Sequence, residues 1–158
     1  MLKHLLQVVC FTLAIAGTTA HASVQANASG WEKYGELTFN VAQQTGVPVM
    51  DLISLTSMES GYKAHARNGE GSSAAGLGAM TARTYKTMVK RYGAQYGVKP
   101  GTPRTNARAN LLMTAAYWKE NAGILAKRIG RTPNSAETYM AHLLGPTAAS
   151  RVIKSKGN

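Results

Sequence analysis

Apolar residues in the second half of the chain recur at the spacing of a buried α-helix. Between Asn106 and Gly130 they follow one another at steps of four and three residues: Leu111, Ala115, Trp118, Ala122 and Leu125. This spacing places all of them on one helix face. Asn106 can cap the start of such a helix, and Gly130 can end it. The pattern therefore predicts a long helix with a buried seam.

The rest of the chain shows similar helical periodicity, interrupted by Gly and Pro. We predict further helices over Gly30–Thr45, from Pro48 to Gly61, from the capping residue Thr81 to Tyr96, from Pro133 and Ser135 through Leu144, and over Thr147–Lys154. No stretch alternates apolar and polar residues over more than a few positions, as a β-strand would. A chain of 158 residues with this pattern is expected to form one all-α domain.

The first 22 residues have the organisation of a secretion signal. Lys3 and His4 precede an apolar stretch, Leu5–Gly17, which is too short to span a membrane comfortably, and Ala20-His21-Ala22 resembles a cleavage site. We predict cleavage after Ala22, a domain over residues 23–158, and a periplasmic or secreted protein; an uncleaved membrane anchor is the alternative. The single cysteine, Cys10, would leave with the signal, so we expect no disulfide.

The charge of the chain is strongly basic. Eighteen Lys and Arg residues against seven Asp and Glu give a formal net charge of +11, and the pI is about 10.1. Such a protein is attracted to polyanions: nucleic acid, anionic lipid or an acidic wall polymer. No nucleic-acid-binding motif is recognisable, so we expect no nucleic-acid partner. A basic surface that serves only solubility is the alternative.

The stretch from Pro48 to Gly76 combines a helix with a loop rich in Gly and Ser. Leu52, Leu55 and Glu59 share one face of the predicted helix, and Gly61 follows as its stop. Burial of a carboxyl group at the end of an apolar stripe raises its pKa, as a general acid requires near neutral pH. Glu59 is therefore the candidate catalytic acid. The alternative is a last-turn glutamate that faces the solvent.

The residues around Glu59 resemble the lytic transglycosylases of the lysozyme superfamily. Met58-Glu59-Ser60-Gly61-Tyr62 matches the catalytic Glu-Ser pair at the end of an apolar helix, and Ala74-Ala75-Gly76-Leu77-Gly78 stands where the family has a Gly-Leu-x-Gln loop. The resemblance implies a lysozyme-like fold with a catalytic helix and a cleft loop. It also implies cleavage of the peptidoglycan bond between N-acetylmuramic acid and N-acetylglucosamine, with formation of a 1,6-anhydro ring.

The resemblance also implies roles for individual residues. Glu59 would act as the single acid and base, Ser60 would help to orient it, and Gly76 and Leu77 would line the substrate cleft. Ala79 departs from the family, which has a glutamine there, so a side chain able to hydrogen-bond the sugar or peptide is missing.

A second segment supports the resemblance. Tyr139-Met140-Ala141-His142 and the following Gly145 are similar to a Tyr-x-Ala-His-x-x-Gly pattern in a phage- and secretion-linked branch of the family. Tyr139 would hydrogen-bond Glu59 or the sugar; a half-buried tyrosine with its hydroxyl in water is the alternative. We interpret His142, one helical turn further on, as a core histidine. With only His65 besides it after the signal, we expect no metal site.

Alternative functions remain open at this point. A muramidase that hydrolyses the same bond with water would need a second carboxylate, for which Glu70 in the loop is the candidate. A wall-binding or assembly protein without catalysis is the other alternative, favoured by Ala79. The expected partners are peptidoglycan glycan strands and, by analogy, a secretion, conjugation or phage apparatus. We expect no cofactor and a monomer.

Overall fold

The computed structural model describes residues 28–65 and 73–155, and these residues are mostly helical. We number the helices α1 to α6 in chain order. The chain is helical over residues 28–45 (α1), Val49–Ser60 (α2), Ala82–Tyr96 (α3), Ala107–Ile129 (α4), Ser135–Leu144 (α5) and Pro146–Ser155 (α6). Within the described ranges there is no strand, only an isolated antiparallel bridge between Ala75 and Met80. The predicted all-α class is confirmed. The predicted signal, residues 1–22, and the loop residue Glu70 lie outside the described residues.

The helix ends follow from local signals. The side chains of Thr81 and Asn106 accept hydrogen bonds from the backbone N–H groups of Thr84 and Ala109, which caps α3 and α4 as predicted. Helix α5 begins at Ser135, as predicted, and Asn134 caps it. The Asn134 side chain accepts from the Glu137 backbone N–H, and the Glu137 carboxylate accepts from that of Asn134.

Helix α4 lies at the centre of the fold and packs against α3, α5 and α6. Its predicted seam is buried except at Ala122, which is partly exposed. Over residues 109–116, however, every side chain of α4 is buried, including the polar Asn110 and Thr114. The main core joins this part of α4 to apolar residues of α1, α2 and α3. Buried on several faces, α4 fixes the relative positions of the helices around it.

A smaller apolar cluster anchors the last two helices. Leu125 from the end of α4, Ala141 from α5 and Ala149 from α6 are all completely buried, and Ile129, Met140 and Ile153 pack against them. This cluster holds α5 against α4, so the face of α5 that carries Tyr139 has a fixed position. None of the helices in the described ranges is long and apolar enough to cross a membrane.

Candidate active site

Glu59 lies in the last turn of α2, at the end of a buried stripe. Leu52 and Leu55, on the same face, are almost completely buried. The Glu59 side chain itself is 18% exposed, so its carboxyl group is largely withdrawn from water. This burial raises the pKa of Glu59 above its ordinary value. Met58, by contrast, points outward and is 57% exposed.

Tyr139 in α5 lies against the Glu59 carboxyl group. A hydrogen bond from its hydroxyl to Glu59 favours the ionised carboxylate and so lowers the pKa of Glu59, but burial is the larger influence and the pKa stays raised. The pKa of Tyr139 is raised as well, first by burial and then by the neighbouring carboxylate. The structure thus brings together two of the predicted site residues from distant parts of the sequence.

His142 of α5 also lies beside the Glu59 carboxyl group. Its Nε2 atom lies 3.9 Å from Glu59 Oε1, and its side chain is only 10% exposed. Burial lowers the pKa of His142 to about 4, so its imidazole is neutral near pH 7. Three aromatic rings surround it: Tyr139 in stacked geometry at 6.3 Å, Tyr117 edge-on at 5.3 Å and Trp118 tilted at 6.2 Å between ring centroids. The His142 side chain is thus largely buried, as a core histidine would be, but it also faces the candidate catalytic acid.

The Ser60 hydroxyl links α2 to the glycine-rich turn, which comprises residues 75–79. Its hydroxyl donates a 2.8 Å hydrogen bond to the Leu77 backbone carbonyl and lies 3.2 Å from the Thr56 carbonyl. The Leu77 side chain is completely buried in the core. Ser60 and Leu77 therefore hold the turn beside the end of α2, and the predicted contact of either with substrate stays a prediction.

The chain turns immediately after α2 through two residues in left-handed conformation. Gly61 has φ 55° and Tyr62 has φ 61°. Tyr62 is held in this uncommon conformation by its own contacts: its hydroxyl donates to the Ile53 carbonyl at 3.2 Å, and its ring meets the edge of Trp31 at 5.6 Å. The Gly-Tyr pair after Glu59-Ser60 thus serves to direct the following loop.

The Asn110 side chain of α4 holds the glycine-rich turn through hydrogen bonds to its backbone, a role that the sequence analysis did not predict. Its Oδ1 accepts a 2.7 Å hydrogen bond from the Gly78 N–H, and its Nδ2 donates to the carbonyls of Ala75 at 3.2 Å and Arg104 at 2.8 Å. The turn approaches α4 so closely that a Cβ on Gly76, whose φ is +84°, would lie 2.3 Å from Asn110 Nδ2. Gly76 is therefore required by both conformation and space.

Ala79, where the resembling family has glutamine, closes this turn. Its backbone N–H donates to the Gly76 carbonyl at 3.0 Å, and it has an uncommon φ of +43°. It is partly exposed, whereas Gly76, Leu77 and Gly78 are buried. The position is thus accessible from outside, but its methyl group offers no hydrogen bond.

The other described carboxylates have different surroundings. Glu120 pairs with Arg91 at 2.6 Å, and Glu137 pairs with Arg131 at 2.6 Å. Asp51, in the first turn of α2, lines a cavity of 180 Å³ together with residues of α4 and α5. No described carboxylate is among the groups that shift the pKa of Glu59. Among the described residues, Glu59 thus has the Tyr139 phenol and the neutral His142 imidazole near its carboxyl group.

Two further features bear on ligand binding. In the described part of the chain, no three His, Cys, Asp or Glu side chains are grouped as a metal site would require. A cavity of 770 Å³ lies between α3 and residues 97–102, and it includes none of the predicted site residues.

A scan against models of protein families finds none that matches this chain. The evidence on function therefore lies in the geometry of the site itself.

Proposed function

We propose that this protein is a peptidoglycan lytic transglycosylase of lysozyme-like fold, with Glu59 as its single catalytic acid and base. The observation that carries the proposal is the setting of Glu59. Its carboxyl group is shielded at the end of α2, burial raises its pKa, and the Tyr139 hydroxyl bonds to it. An acid that must first give up a proton and then recover one needs a pKa near the working pH.

The reaction proceeds in two proton transfers through the same carboxyl group. Protonated Glu59 gives its proton to the glycosidic oxygen, and the bond from that oxygen to C1 of the muramic residue breaks. Positive charge develops at C1 as in other glycosidic cleavages. The Glu59 carboxylate then takes the proton from the 6-hydroxyl of the same sugar while that oxygen bonds to C1. The 1,6-anhydro ring closes, Glu59 is protonated again, and no water is consumed.

Tyr139 affects the balance between the protonated and the ionised forms of Glu59, which the two proton transfers use in turn. Its hydroxyl favours the ionised form of Glu59 and opposes the effect of burial. This balance keeps the carboxylate accessible as a base without making the acid form scarce. No described carboxylate shifts the pKa of Glu59, which is consistent with a mechanism that uses one carboxyl group. Glu70, the candidate second carboxylate, lies outside the described residues.

The proposal extends to partners and location. The net charge of +11 would hold the enzyme on the anionic cell wall, where the glycan strands lie. A secreted or periplasmic enzyme of this size would open the wall locally. By analogy at the level of the fold, we propose that it does so for a secretion, conjugation or phage apparatus.

Analysis of the released muropeptides tests the proposal. Purified peptidoglycan is digested with the chain beginning at Ser23, with Glu59→Gln, and with Glu36→Gln as a matched control. Glu36 is an exposed glutamate of α1, so its variant should act as the unchanged protein does. We expect products with anhydro ends from the unchanged protein and the control, and none from Glu59→Gln.

The other outcomes would redirect the assignment. Products with hydrated reducing ends would mean a muramidase and would make Glu70 the next residue to replace. No product from any of the three proteins, in the presence of demonstrable wall binding, would mean a wall-binding protein without catalysis.

A further inference from the structure

We propose that His142 is a positioning residue of the candidate active site, whose Nε2–H group donates to the Glu59 carboxylate and, with the Tyr139 hydroxyl, holds it in place. The claim that the site is catalytic rests on the proposed function. The contact between imidazole and carboxylate does not, and it can be tested without a substrate.

The first support is the direction in which the imidazole faces. Nε2 is 3.9 Å from Glu59 Oε1, while Nδ1 is buried and has no hydrogen-bond partner among the described residues. A neutral imidazole carries one proton, on one of its two nitrogens. The proton is more stable on Nε2, where it meets a carboxylate, than on Nδ1, where a buried N–H would have no acceptor.

The second support is the rigidity of the ring. Tyr139 stacks on His142 with an interplanar angle of 11°, and the rings of Tyr117 and Trp118 close other sides. The titratable groups that face the imidazole therefore come from three helices: Glu59 of α2, Tyr117 of α4 and Tyr139 of α5. The position of the imidazole relative to the Glu59 carboxyl group is therefore set by packing.

The third support is that no described Lys or Arg is paired with the Glu59 carboxyl group. A fixed positive charge would keep Glu59 ionised and would oppose the acid step, whereas a neutral donor stabilises the carboxylate only moderately. The present separation is about 1 Å longer than a hydrogen bond, and catalytic hydrogen bonds in unliganded enzymes often shorten when the substrate binds.

Two substitutions separate positioning from packing. In His142→Gln the amide nitrogen can occupy the place of Nε2 and donate to Glu59, but the aromatic stack is lost. In His142→Phe the aromatic packing remains and the donor is lost. A positioning role predicts that Gln is the better replacement, whereas a role in packing predicts that Phe is.

The kinetic expectation concerns kcat. Loss of a hydrogen bond to a charged group corresponds to a roughly ten- to hundred-fold effect. We expect His142→Phe to lower kcat by that factor with little change in KM, and His142→Gln to recover most of the loss. Equal activity of the unchanged protein and His142→Phe would overturn the proposal, as would a Phe variant more active than the Gln variant.

Nuclear magnetic resonance decides the question even if no glycan is cleaved. In the unchanged protein, ¹⁵N shifts of His142 should report the tautomer protonated at Nε2, and protonation at Nδ1 would refute the proposal. A ¹³C titration of the Glu59 carboxyl group should show a higher pKa in His142→Phe than in His142→Gln. Identical pKa values in the two variants would also refute it. Failure of the proposed function would leave both signatures in place.

Discussion

Replacing Asn110 with alanine tests how the glycine-rich turn is held beside Glu59. The substitution leaves the Gly78 N–H and the carbonyls of Ala75 and Arg104 without their present partner, in a region where the Asn110 side chain is completely buried. A buried polar group that loses its partner costs about 1–3 kcal/mol. We therefore expect Asn110→Ala to lower the free energy of unfolding by about 4 kcal/mol, a large fraction of the roughly 5–15 kcal/mol typical of a domain.

Urea denaturation followed by circular dichroism and tryptophan fluorescence measures this loss. The matched control is Asn40→Ala, at an exposed position in α1, which should change stability by less than about 0.5 kcal/mol. Asn110→Asp should also be strongly destabilising, because its second carboxylate oxygen would face two carbonyl oxygens where Nδ2 now donates. If Asn110→Ala were within about 1 kcal/mol of the unchanged protein, the turn would not depend on this amide.

Three further predictions concern the helices. Gly123→Ala should stabilise α4 by up to about 1 kcal/mol in thermal denaturation, because the added Cβ meets open space; a loss of stability would contradict this. Asn134→Ala should cost about 1 kcal/mol through loss of the α5 cap, and an unchanged melting temperature would refute the cap's role. His142 has a pKa of about 4 when folded against an ordinary 6.5, so the unfolded chain binds its proton first as pH falls. The free energy of unfolding should therefore decrease by about 3 kcal/mol between pH 6.5 and 4, a decrease that His142→Gln should lack in denaturation at a series of pH values.

The helices could be predicted because their signals are local. Thr81 and Asn106 begin helices and Gly130 ends one, each through a contact with a residue three or four positions away, so the sequence near each helix end contains the necessary information. Asn134 was missed although its signal was present: Glu137 stands three residues later and completes a capping box.

The polar interior of α4 could not be predicted in the same way. A single apolar seam suggests one buried face, but residues 109–116 are buried on all sides. Whether a buried asparagine is satisfied depends on where distant carbonyl groups lie, and Asn110 finds its partners in the turn and in Arg104. Such contacts are a property of the assembled fold, and periodicity does not reveal them.

The candidate site was predicted in part. The apolar stripe that ends at Glu59 indicated a shielded carboxyl group, and the structure places it so, with Tyr139 beside it. The sequence did not indicate that the Ser60 hydroxyl bonds to the Leu77 carbonyl, or that the buried His142 faces Glu59. Both contacts join segments that are remote in sequence, so they follow only from the packing of α2, the turn and α5.

Digestion of peptidoglycan in water enriched in ¹⁸O tests the central claim most directly. If Glu59 takes its proton back from the 6-hydroxyl of the sugar, no solvent oxygen enters the product. We therefore predict anhydro-ended muropeptides whose masses are identical in ordinary and in ¹⁸O-enriched water, and no such products from Glu59→Gln. Products that carry ¹⁸O at their new reducing end would contradict the account, because water and not the sugar hydroxyl would then have attacked C1.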